Sequence, residues 1–164
     1  MKKQRLAAAA AILAMMVVPA TASAATPTAG SGSWDDCNIA PAVRAGGPNL
    51  TVWVGITENF SGTMVGTYAG TERDQVFADG SAGFHGAGTF TGSVNGKSGT
   101  ASYTYEGVAP AGQPFTATWT LIGKTGALAK VKGSGAFGGS FIDVSAECDG
   151  GIYAGTYAGA FVGS

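Results

Sequence analysis

The chain has 164 residues, of which 28 are glycine, two are cysteine and 12% are charged, with a formal net charge of −1. So much glycine excludes a helical bundle, because each helix-interior glycine costs about 1 kcal/mol against alanine, and the absence of a strict three-residue period excludes collagen. With 45% hydrophobic residues and little charge the chain is not disordered by composition, and one all-β domain is predicted.

In chain order, residues 1–24 read as a cleaved signal peptide. Lys2, Lys3 and Arg5 form a basic start, Leu6 to Val18 is apolar, Pro19 breaks it, and Ala22-Ser23-Ala24 gives the small-x-small pattern before a cut. The apolar run falls short of the about 20 residues of a membrane span, and no twin-arginine pair is present, so export by the general secretory route is expected. Cleavage removes three cations and leaves an acidic chain. No basic run follows residue 5, which argues against nucleic acid as a partner, since phosphates need clustered Lys and Arg.

Residues 25–49 read as a flexible leader and an irregular segment, with Pro41 and Gly46-Gly47-Pro48 as turn signals. The barrel domain is placed at 50–164. Leu50, Val52, Val54 and Ile56 share one strand face, and Glu58-Asn59 is expected to break that strand. Phe60 to Glu72 is the next predicted strand, with a glycine bend at Gly62 or Gly66. Asp79-Gly80 reads as a turn, 83–92 as a glycine-rich strand, and Asn95-Gly96 as the strongest hairpin signal. Residues 98–107 and 115–122 are strands, the latter alternating Phe115, Ala117, Trp119 and Leu121 against three threonines and Ile122. Gly126 to Lys132 is the one candidate helical turn, with Leu128 and Val131 placed to pin it to a barrel end. Residues 133–143 and 151–162 form the last hairpin. Gly66-Thr67-Tyr68-Ala69-Gly70 recurs as Gly155-Thr156-Tyr157-Ala158-Gly159. It is read either as chance or as two like strands paired at the seam of a closed barrel.

The fold class is therefore all-β, a single antiparallel closed barrel of about eight strands. Cys37 and Cys148 are the only cysteines, and in an exported chain they are predicted to form one disulfide tying the N-terminal segment to the last hairpin.

Several segments in order carry a resemblance. Asp79-Gly80-Ser81 precedes Gly92-Ser93-Val94-Asn95-Gly96-Lys97-Ser98-Gly99-Thr100. After them come a Trp-bearing strand, Gly123-Lys124-Thr125-Gly126-Ala127-Leu128, Gly133-Ser134-Gly135 and the closing Gly155-Thr156-Tyr157-Ala158-Gly159. Across Leu50 to Val162 this order resembles a bacterial family of uncharacterised barrel proteins grouped with the allene oxide cyclase-like barrels, within the calycin-type set. The resemblance implies an eight-stranded antiparallel barrel and no settled activity. Related barrels guide cyclisation or coupling inside a hydrophobic cavity, but none of their functional residues maps onto this chain.

His85, the only histidine, is expected to face solvent, with Phe84 and Phe90 inward. One histidine and no CxxC give no metal site, and no cofactor motif is present. Glu106 is expected to face water, Glu58 to sit in a turn, and Glu72 and Asp74 to form a solvated charge cluster around Arg73. Met64, Tyr68, Tyr103, Tyr105, Phe115 and Trp119 share the predicted interior. They either fill the core or line a ligand cavity, because a small eight-stranded barrel can do either. Three functions stay open: a secreted barrel binding a small apolar ligand, a cofactor-free cyclase or isomerase acting in the cavity, and a structural or surface-interaction protein. The sequence carries no signal for a membrane anchor after cleavage, nor for an oligomeric state.

Overall fold

A computed structural model describes residues 25–164; the predicted signal peptide lies outside the described residues. Eight antiparallel strands close into a barrel in sequence order: β1 Thr28–Gly46, β2 Asn49–Gly62, β3 Met64–Val76, β4 Ala82–Val94, β5 Lys97–Ala109, β6 Phe115–Gly123, β7 Lys132–Asp143 and β8 Gly151–Val162. The closure pairs β1 with β8, from Thr28 opposite Phe161 to Asn38 opposite Gly151. Each strand therefore has two hydrogen-bonded neighbours and the sheet has no free edge.

The strand pattern follows the alternation in the sequence. In β6, Ala117, Trp119 and Leu121 point into the core while Thr116, Thr118, Thr120 and Ile122 face out. Phe84 and Phe90 point inward, and His85 and Glu106 are exposed, as expected. The Asn95-Gly96 turn joins β4 to β5 with φ of 49° and 78°, the left-handed pair that a two-residue hairpin needs.

The two ends differ. At one end the β6–β7 connection carries a 3-10 helix, Gly126–Lys130, whose Leu128 is fully buried together with Val131, Met64, Val94 and Phe161. These residues plug the barrel. The Tyr157 hydroxyl reinforces this end. It accepts from the Met64 N–H at 2.7 Å and donates to the Ser61 carbonyl at 3.1 Å. At the other end the register slips between Ile39 and Ala42, flanking Pro41, which has no N–H for the ladder. A second slip falls between Phe141 and Asp143. This end is open.

Three expectations need correction. Residues 28–46 are not a leader or an irregular segment but the longest strand, which closes the barrel. Its inward positions include Asp36 and Asn38, so hydrophobic alternation did not reveal it. The break expected at Glu58-Asn59 does not occur; β2 runs through to Gly62, whose φ of 101° makes the turn into β3 at Met64. The repeated Gly-Thr-Tyr-Ala-Gly segments lie on β3 and β8, which are not neighbours, because β1 and β2 stand between them.

Candidate functional site

Cys37 and Cys148 are joined, with Cα atoms 5.2 Å apart. The bond holds the β7–β8 connection against β1, and the Gly150 N–H donates to the Asn38 carbonyl at 2.8 Å. Asp149 and Gly150 thereby form part of the rim of a cavity of about 400 Å³ that enters the barrel from its open end.

The cavity has two unlike walls. Its aromatic side is built from consecutive strands: Phe84 on β4, Tyr105 on β5, Phe115 on β6, Phe137 on β7 and Tyr153 on β8. Their rings meet mostly edge to face, as Phe84 with Phe115 at 5.4 Å between centroids and Tyr105 with Phe137 at 5.4 Å. The other side sets carboxyls among the aliphatic Val52, Val54 and Val76. Glu58 on β2 and Glu72 and Asp74 on β3 line it, and Asp36 on β1 is the direct cross-strand partner of Glu58. Among the described residues no Lys, Arg or His lines the cavity.

Strand parity explains this placement. Glu58 shares its face of β2 with Val54, Ile56 and Phe60, and Glu72 and Asp74 share theirs of β3 with Met64 and Tyr68. The expectation that Glu58 sits in a turn, and that Glu72 and Asp74 are a solvated cluster, is thus overturned. Glu58 is 3% exposed. Only Arg73, between the two acids of β3, points outward.

Glycine sets the position of Tyr105. Glu72, Gly86 and Tyr105 stand in one row across β3, β4 and β5. A Cβ on Gly86 would run into the Tyr105 ring, so the missing side chain lets that ring lie across β4 towards Glu72.

Burial dominates the electrostatics, since a charge removed from water is disfavoured unless it is paired. It pushes Asp36 up to about 7, against the Tyr153 N–H that donates to its carboxylate at 2.9 Å and with the nearby Asp35 charge adding to the rise. Glu58 is raised well above the usual carboxylate range by burial and by Asp36. Glu72 is also raised well above it, by burial first and then by Asp74, while Asp74 itself is raised by burial. The Tyr105 hydroxyl tempers the rise at Glu72, but its geometry is not that of a hydrogen bond. Burial raises Tyr68, Tyr103 and Tyr105 as well, so all three stay neutral phenols at ordinary pH. Four polar atoms are buried without a hydrogen-bond partner here: Asn38 Oδ1, Asp74 Oδ1 and the hydroxyls of Tyr68 and Tyr105.

Of the six interior residues expected to bind a ligand, Tyr105 and Phe115 line the cavity. Tyr68, Tyr103 and Trp119 lie buried in the core, Tyr103 against Tyr68 at 5.4 Å and stacked on Trp119 at 6.0 Å. Met64 belongs to the plugged end and is fully buried. Sequence reasoning missed Asn38 and, although Glu58, Glu72 and Asp74 were candidate acid–base carboxylates, it placed them in a turn and in solvent; strict strand parity was the signal that could have put these three inside.

A wider concavity lies outside the barrel, where Trp53, Arg73, His85, Glu106 and Thr118 stand in one row across five strands. It is open to solvent. Among the described residues no group of His, Cys, Asp and Glu is arranged to hold a metal, and no helix is long and apolar enough to cross a membrane.

No protein-family model matches the chain, and no curated protein matches it. Among solved structures it is similar to a protein of unknown function from the DUF3224 family of Shewanella oneidensis MR-1, with a TM-score of 0.59 and 17% sequence identity. The match covers 83% of this chain and 96% of that one. At that identity the likeness is one of fold: the chain is a small closed β-barrel, similar to an uncharacterised bacterial barrel protein.

Proposed function

We propose that this is an exported barrel that binds one small, largely apolar molecule in the cavity at its open end. The observation that carries the reading is the cavity itself, walled by aromatic rings and containing the orphaned Asn38 oxygen and Tyr105 hydroxyl. A buried polar atom without a partner costs about 1–3 kcal/mol, and a bound molecule would relieve that cost. Export is supported by the three-part pattern of residues 1–24 and by a disulfide, which persists in oxidising compartments.

A second reading is a cofactor-free cyclase or isomerase acting in the same cavity, in keeping with the resemblance to allene oxide cyclase-like barrels. It is favoured by one observation: the Glu72 carboxyl, whose hold on its proton burial strengthens, stands beside the Tyr105 hydroxyl in a partly apolar enclosure. A neutral acid beside a phenol can give and take a proton from a confined substrate.

The test is native mass spectrometry on protein exported by a bacterial host and never refolded. An added mass that leaves on denaturation supports binding and gives the ligand's size; a bare mass that stays bare after exposure to a host extract counts against it. The enzymatic reading further requires deuterium uptake from heavy water into the recovered ligand, lost in Glu72→Gln.

A further inference from the structure

We infer that the cavity selects an organic cation: a protonated amine or amidine carried on a flat apolar body. The inference deepens the binding role proposed above and rests on it. Three features of the cavity point the same way.

The first is the division of its walls. Carboxyls come from β2 and β3, with the Asn38 amide from β1 beside them, and aromatic rings from β4 to β8. A molecule bridging the two walls must offer an apolar surface to one and positive charge to the other. Aromatic faces also attract cations directly, through the ring quadrupole.

The second is the missing countercharge. Asp36, Glu58, Glu72 and Asp74 face the interior, with Tyr68, Tyr103, Tyr105 and Tyr153 as the other buried titratable groups around them. Every one of these is an acid. A buried acid is matched by a cation or kept neutral by its proton, and among the described residues the lining offers no cation.

The third is the kind of atom left orphaned. Asn38, 6% exposed, has its Oδ1 unpartnered, and so has Asp74. Both atoms accept hydrogen bonds. Tyr105, 4% exposed, has an unpartnered hydroxyl on the same cavity. The two orphaned side-chain oxygens of Asn38 and Asp74 call for donors from a ligand, and an ammonium or amidinium group supplies several on one charged centre. An anion brings acceptors only and would find no cation on the described lining to pair with. A bare metal ion would leave the aromatic wall unused, and no metal-binding group is arranged among the described residues.

The experiment is calorimetric titration of the disulfide-bonded protein, at pH 8, with three molecules of like size and shape. These are phenethylammonium, its uncharged carbon analogue propylbenzene, and the neutral ketone benzylacetone. Phenethylammonium is expected to bind at least about tenfold more tightly than either neutral probe, and Glu58→Gln to narrow that preference. Equal or tighter binding of propylbenzene or benzylacetone would overturn the cation and leave the general binding role standing. If no probe binds although native mass spectrometry finds an adduct, the cation is again overturned and the binding role survives. If no probe binds and the mass is bare, both are overturned.

Discussion

Asp36 on β1 and Glu58 on β2 are direct cross-strand partners, and both carboxyls are buried inside the barrel. Like charges placed opposite each other on a sheet are destabilising even at a surface. Inside the barrel the cost is larger, because among the described residues no cation stands on the lining to offset it. The fold answers by holding protons: Asp36 titrates at about 7 and Glu58 well above the ordinary range. An acid pair retained in this form is hard to explain as a stabilising device. It is readily explained as a site awaiting a charge from outside.

The same pair makes stability depend on pH. Asp36 has an ordinary value of 3.8 and a folded value of about 7, so between those values the folded chain binds more protons than the unfolded chain. Its contribution is fully present below about pH 4 and is lost as pH rises through 7. Glu58, Glu72 and Asp74 are shifted in the same direction and add to the effect. Asp79, lowered by its hydrogen bonds to Ser81, is fully exposed and opposes it only weakly. Urea unfolding should therefore show a lower midpoint at pH 8 than at pH 5, by on the order of a few kcal/mol in stability. Glu58→Gln keeps the shape without the charge and should raise the pH 8 midpoint towards the pH 5 value. A midpoint that rises with pH in the wild type would contradict the buried-acid account.

Tyr105 allows stability and binding to be separated. Its hydroxyl is buried without a hydrogen bond, so Tyr105→Phe removes a group that is only partly satisfied. The melting temperature should stay level or rise, with a gain of up to about 1 kcal/mol. Affinity for phenethylammonium should fall, because an acceptor on the cavity wall is gone. Gly86→Ala should behave differently. Its new Cβ meets the Tyr105 ring, and displacing a packed ring costs about 1–3 kcal/mol. Thermal denaturation and calorimetry on both variants check the pair of outcomes.

The parts of the fold legible in the sequence were those written in alternation and turn chemistry. β6 shows strict alternation, Asn95-Gly96 announces its hairpin, and a single pair of cysteines announces its bond. β1 was hidden for a physical reason. Its inward side carries Trp34, Asp36 and Asn38, and its length is filled with small residues, so the pattern of a half-buried strand is absent. The site was hidden for a related one. A charged residue in a strand is ordinarily an outward residue, and Glu58, Glu72 and Asp74 break that expectation while keeping the parity of Val54 and Tyr68. Aromatic residues were correctly placed inside, but which of them meet an open cavity depends on the slipped registers at one barrel end.

The disulfide should matter twice. It closes a span of 111 residues, and chain entropy sets its contribution at up to about 4–5 kcal/mol. Replacing both cysteines with alanine should lower the melting temperature. It should also loosen the rim, since Gly150 is held against Asn38 only next to the bond. The expected result is weaker phenethylammonium binding even at temperatures where the variant is fully folded, read by calorimetry beside circular dichroism.

The plugged end offers the converse case. Leu128 sits on the 3-10 helix with no exposure, against a cluster that includes Val131, and it does not line the cavity. Leu128→Ala removes buried methyl groups and leaves a void, at a cost of about 2–5 kcal/mol. Its effects should not reach the far end of the barrel, because distant sites without shared partners act additively. Chemical denaturation should show the loss in full, while phenethylammonium affinity, measured on the folded fraction, stays within about twofold of wild type. A large loss of affinity would mean that the plug and the cavity are mechanically coupled through the stacked Tyr103 and Trp119 rings between them.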